Sequence, residues 1–179
     1  MRHPLASRLD RSIVLVGLMG AGKSTIGRRL ARQLDFPFVD SDEAIAEAAG
    51  YSAAEVFERF GEADFRDGER RLVARLAEGP LQVIATGGGA FVDRETRELL
   101  NDHCHTVWLD APVEILAERT GRRDTRPLLR GTDRAAKLRQ LLDDRRAFYA
   151  EAHLHVQSSR AAHADVVERI LAALEEHLA

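Results

Sequence analysis

The clearest chemistry in this chain lies in Gly17-Leu18-Met19-Gly20-Ala21-Gly22-Lys23-Ser24, a full match to G-x-x-x-x-G-K-[ST]. Such a run lets backbone N–H groups converge on phosphate oxygens, and a following helix N-terminus adds a favourable dipole. Lys23 is then placed for the β- and γ-phosphates, and the Ser24 hydroxyl for Mg²⁺. Gly20, Ala21, Gly22, Lys23, Ser24 and Thr25 are therefore candidate ATP-binding residues. A metal-organising aspartate normally closes a later strand. Here Ile84-Ala85-Thr86-Gly87 ends without one, while Phe38-Val39-Asp40-Ser41-Asp42 supplies two carboxylates at a strand end. Both could face the phosphates, or Asp42 could cap the next helix in an Asx turn.

Other chemistry-bearing residues stand further along. Arg66 lies four residues after Glu62 and three before Glu69, a spacing open to a solvated helix face as well as to anion binding. Gly87-Gly88-Gly89 follows an apolar run, and Arg145-Arg146 follows Asp143-Asp144 in a charged segment where one arginine belongs to the surface. Gly121 to Gly131 is polar and arginine-rich, with too little apolar periodicity for core. It suits a lid of about residues 121–131 that covers phosphates and excludes water. His103-Cys104-His105 holds metal-ligand types, but three consecutive residues rarely converge on one ion, and zinc is not expected. Trp108 sits in an apolar strand and is expected in the core.

The elements that must position these residues are legible from periodicity. Ser12–Val16 is a continuous apolar run that stops at the glycines, as in a strand buried on both faces. Apolar residues Ile26, Leu30, Ala31 and Leu34 predict a helix from Lys23 to Leu34. Strands are expected at 36–40, 81–85, 105–109 and 154–156. Helices are expected at 42–49, from the capping box at Ser52 to Glu55, from about 61 to 77, and at 93–100, 112–119 and 133–152, with a terminal helix from about 164. Alternation of strand and helix implies α/β architecture, a parallel sheet with helices on both faces.

These segments, in this order, resemble the shikimate kinase family. The resemblance is carried by the phosphate loop, Phe38-Val39-Asp40-Ser41-Asp42, Phe65-Arg66, Thr86-Gly87-Gly88-Gly89, Arg126-Pro127-Leu128-Leu129 and the late Arg145-Arg146-Ala147-Phe148-Tyr149. In the last, Ala147 and Phe148 replace the family's Pro-Leu. The resemblance implies a three-layer P-loop NTPase fold, a five-stranded parallel sheet of order 2-3-1-4-5 with a lid. It implies transfer of the ATP γ-phosphoryl group to the 3-hydroxyl of shikimate, with Mg²⁺ as cofactor. In that reading Arg66 and Arg145 clamp the acceptor carboxylate, Asp42 orients the hydroxyl, and Gly87, Gly88 and Gly89 approach the ring. Glu69 orients Arg66, and Asp40 holds a metal-bound water. Arg126 reaches the transferring phosphate, Arg119 stacks on adenine, and the 159–163 loop with Arg160 covers its other side. Lys23, Asp42 and Arg126 are the catalytic set. The family also implies a monomer. A gluconate kinase, another small-molecule kinase of this fold, or a non-catalytic nucleotide-binding homologue would share the phosphate loop.

Composition bounds the rest. The chain has 179 residues, a net charge of −3 and one cysteine. No excess of cations is available for a nucleic-acid backbone, so no such partner is expected. The N-terminal arm lacks an apolar core for export and no run suits a membrane span, so a cytoplasmic protein is expected. Residues 1–11 read as a short, partly disordered extension and 12–179 as a single domain, with an acceptor-binding segment at about 41–78.

Overall fold

In the computed structural model, which describes residues 2–121, 133–160 and 162–179, the strands are β1 (Ile13–Val16), β2 (Phe38–Asp40), β3 (Val83–Ala85), β4 (His105–Asp110) and β5 (Leu154–Gln157). They form one all-parallel sheet of order β2-β3-β1-β4-β5, as the alternation of elements requires. Central β1 is buried at every position, in keeping with its unbroken apolar run. Leu15 is in register with Ala85 and Val107, and Ala85 with Asp40. The register therefore brings the carboxyl ends of β1, β2 and β3, and the loops that follow them, to one edge. That edge is where ligands meet an open α/β sheet.

The helices are α1 (Lys23–Leu34), α2 (Ser41–Ala49), α3 (Ala53–Ala77), α4 (Arg94–His103), α5 (Val113–Gly121), α6 (Arg134–Tyr149) and α7 (His163–His177). α1 and α2 end at left-handed Asp35 and Gly50. The reciprocal capping box of Ser52 and Glu55 starts α3, which breaks at Gly61 (φ 85°, ψ 169°) into the two helical halves expected from sequence. No described helix is long and apolar enough to cross a membrane.

One expectation is corrected. The N-terminal arm is not loose: Pro4–Ser7 form a 3₁₀ turn, and Leu5 and Leu9 are buried in the main core. Its arginines find helix carboxyl termini. Arg2 donates to the Leu34 carbonyl of α1 (3.1 Å), Arg8 to Leu178 after α7 (3.0 Å) and Arg11 to Asp102 of α4 (3.0 Å). These carbonyls lack intrahelical donors and carry the negative end of the dipole, so guanidinium groups satisfy both. The arm's three arginines thus each meet a different helix end.

The same end of the sheet holds a histidine cluster. His177 lies 5.5 Å from both the His105 and the His153 rings, with Arg11 nearby and Asp10 3.3 Å from His105. Burial, then the neighbouring imidazole, pushes His105 and His153 below the usual imidazole value of 6.5. The unfolded chain thus binds more protons than the folded one just below that value. Stability is full above about 6.5 and is lost as pH falls toward the lowered folded values. Tm followed from about pH 7.5 to 5.5 should drop on the acid side, and His105→Gln with His153→Gln should flatten the curve. A wild-type Tm indifferent to pH across that range would count against the cluster.

Candidate active site

The β1–α1 loop turns through Gly17, Gly20 and Gly22, all at positive φ, and α1 starts at Lys23 with no side-chain cap. Lys23 is almost fully buried, and its ammonium donates to the Gly17 (2.7 Å) and Leu18 (3.0 Å) carbonyls. Arg119, in the last turn of α5, donates to the Gly20 and Ala21 carbonyls at 3.2 Å each and to Ser159 at 3.5 Å. It therefore joins the phosphate loop to the segment before α7. Arg160 points elsewhere: it pairs with Glu118 at 3.2 Å on the surface and does not line the cleft. His163 does line it, beside Thr120 and Arg119.

Asp40 and Ser24 meet across this cleft, the hydroxyl of Ser24 donating to Oδ2 of Asp40. Oδ1 of the same carboxylate accepts from the backbone of Asp42 (2.9 Å) and Glu43 (3.2 Å). The residue that caps α2 is therefore Asp40, which replaces the alternative of a capping Asp42. Freed from that task, Asp42 sits in the first turn of α2 with its carboxylate in the cleft. Oxygen donors from a hydroxyl and a carboxylate beside a phosphate loop suit Mg²⁺, which keeps several waters and leans on substrate phosphates rather than on a full protein cage. Among the described residues no group of three His, Cys, Asp or Glu could hold a metal by itself.

A second cleft opens beside the first, and α2, α3, α6 and the triple-glycine loop line it. Arg66 of α3 donates to Glu69 at 2.7 Å, the contact implied by the family resemblance. Glu69 is buried, which raises its carboxyl above the usual value against the opposing pull of Arg66. Arg145 of α6 completes the cationic wall. Its Nη1 and Oε2 of Glu69 are buried without a hydrogen-bond partner, polar atoms that an incoming anion and hydroxyl could satisfy. Arg146 turns the other way, over the Trp108 ring and 3.9 Å from Asp110. The structure thus decides between the adjacent arginines.

The glycines leave room for charged side chains. A Cβ at Gly89 would lie 2.5 to 2.6 Å from the Arg66 guanidinium, and one at Gly87 would lie 3.0 Å from both Asp42 and Glu69 carboxylates. The expectation that this loop approaches a ring thus gains a nearer cause: the protein's own ions occupy the space. Met19, Ala53, Ala54, Phe57 and Phe65 form an apolar wall that sequence reasoning missed. Only the i, i+4 spacing of Ala53 and Phe57 after the Ser52 cap pointed to it. Asp42, Gly87 and Gly88 line both clefts, so the two spaces adjoin there. Arg126 and the 122–131 part of the expected lid lie outside the described residues.

Residues 19–175 match the family model described as shikimate kinase. A shikimate kinase of Caulobacter vibrioides is 52% identical over 172 residues, covering 96% of this chain and 86% of that protein. A shikimate kinase from Acinetobacter baumannii, solved in complex with shikimate, superposes with a TM-score of 0.90 at 38% identity, covering 93% of this chain and 94% of that one. A gluconokinase from Sinorhizobium meliloti reaches a TM-score of 0.60 at 22% identity over 99% of this chain and 95% of its own, a likeness of fold alone.

Proposed function

The chain belongs to the shikimate kinase family, and from that membership we propose that it transfers the γ-phosphoryl group of ATP to the 3-hydroxyl of shikimate, giving shikimate 3-phosphate and ADP. One observation carries the reading. A phosphate loop and a two-arginine anion pocket adjoin at Asp42, Gly87 and Gly88, so a donor phosphate and an acid's hydroxyl can be held face to face.

Each residue has a task in that arrangement. Arg66 and Arg145 hold the acceptor carboxylate by charge-assisted bonds, and Glu69 keeps Arg66 aimed. Asp42 orients the attacking hydroxyl, while Gly87, Gly88 and Gly89 frame the ring. Lys23 leaves its carbonyl partners for the β- and γ-phosphates, cradled by the backbone of Gly20, Ala21, Gly22, Ser24 and Thr25. Ser24 would hold Mg²⁺ directly and Asp40 through a water; when bound, the ion neutralises charge between the phosphates. Arg119 and His163 flank the adenine end, with Arg160 tied to Glu118 at its margin. Arg126 would add a cation at the transferring phosphate. Residues 12–179 act as one catalytic domain, the acceptor is gripped by the segment at about 41–78, and the protein works as a cytoplasmic monomer.

The gluconate alternative has only the shared fold behind it. A coupled ADP-release assay offering shikimate, gluconate and nucleoside monophosphates in turn should give turnover with shikimate alone. Turnover with gluconate would transfer the assignment to that acceptor, and none with any acceptor would leave a nucleotide-binding protein without catalysis.

A further inference from the structure

The triple-glycine loop poses a physical problem. It must stand still between two substrates, yet glycines lose more conformational freedom on ordering than any other residue. No side chain of its own can anchor it. Ala90 and Val92 donate to the Gly87 and Gly89 carbonyls within the turn itself, and among the described residues two further bonds come from other elements. The Gly87 N–H donates to Ser41 Oγ at 3.1 Å, which ties the loop to α2 beside Asp42. On the other side the Tyr149 hydroxyl donates to the Gly88 carbonyl.

Tyr149 has the features of an anchor. It is fully buried, and it follows Arg145 by four residues on α6, so both side chains leave the same helix face. Its ring packs against Trp108 at 5.9 Å, and the Arg146 guanidinium covers Trp108 in turn. Nη1 of Arg145 is 3.5 Å from the position a Cβ at Gly88 would take, so loop and arginine are neighbours. Burial raises the phenol above its usual value, which keeps the proton that the bond to Gly88 requires.

We propose that Tyr149 is a positioning residue of the acceptor site, its hydroxyl strapping the Gly88 carbonyl to the helix that carries Arg145. The loop and the arginine then hold one fixed spacing, and an acid seated on Arg145 meets the glycine backbone in register. In kinetic form the inference rests on the shikimate reading; the strap itself is a property of the fold.

Tyr149→Phe removes one oxygen and keeps the ring packing. The expected result is a rise of about tenfold in KM for shikimate, as when a buried acceptor loses its donor, with KM for ATP within about twofold of wild type. Hydrogen exchange at the amides of residues 87–89 should quicken by a similar factor. A residue with only a general structural role would lower Tm and leave both KM values alone, and that pattern overturns the proposal. So does unchanged exchange at 87–89. If the wild-type protein fails to use shikimate, the functional reading falls, while exchange in the variant still decides the strap.

Discussion

Lys23→Ala is expected to lower the rate of phosphoryl transfer by about 10³-fold or more, with KM for shikimate close to wild type. The transition state of this reaction is loose, and catalysis is mostly positioning and charge stabilisation on oxygens that the protein must meet with fixed cations. Removal of a single preorganised donor from such a site typically costs about 10²–10³ in kcat. Lys23 is a full charge rather than a neutral donor, and it is nearly buried at the base of the phosphate loop. Its acceptor-side neighbours belong to other elements, so Arg66, Arg145 and Asp42 keep their places when it is cut back. The same lysine donates to the Gly17 and Leu18 carbonyls, and a loss of loop order must be separated from a loss of charge. Melting curves and titration with a fluorescent ADP analogue do that. A variant that folds, binds ADP weakly and still transfers phosphate within about tenfold of wild type would remove Lys23 from the catalytic set.

The phosphate loop was legible because its information is contiguous: one loop, joined to one strand and one helix, carries its own geometry, whereas Asp40, Arg119 and His163 come to the same cleft from other elements and Arg160 does not line it. The acceptor half is assembled from α2, α3, α6 and the loop after β3, and there sequence spacing reached only as far as single helices. It left Arg66 open between a solvated helix face and an anion site; the family resemblance gave Glu69 the task of orienting it, and the two are in contact at 2.7 Å. Spacing left Arg145 and Arg146 undecided, because the choice depends on which side of α6 faces the sheet. Trp108 and Asp110 of β4 settle it by taking Arg146. Nor could spacing tell that Asp40 caps α2, which requires the strand to end one residue before the helix begins. The N-terminal arm was misread for a similar reason: Leu5 and Leu9 are too few to form a pattern, and the helix ends that hold the arginines come from distant parts of the chain.

Arg145→Ala should raise KM for shikimate by roughly 10²–10³ while nucleotide binding stays near wild type, because a buried charge that loses its partner is expensive. Arg145→Lys is a sharper case. Lysine restores the charge but not the planar fork, so a defect of about tenfold or more should remain if the acceptor carboxylate is gripped bidentately. The truncation also reaches Glu69. Arg145 is one of the cations that counter the raised pKa of this buried carboxyl, and its loss drives that value further up. Glu69 then takes a proton at a higher pH than in the wild type. Protonated, it holds the Arg66 guanidinium less firmly, so the remaining half of the clamp weakens as pH falls. The KM defect of Arg145→Ala should therefore grow on acidification, and Glu69→Gln placed on top of it should abolish that growth. A shikimate KM within threefold of wild type in both Arg145 variants would take the carboxylate grip away from α6. A defect of the expected size that ignores pH would leave the grip in place and cut the link from Arg145 through Glu69 to Arg66.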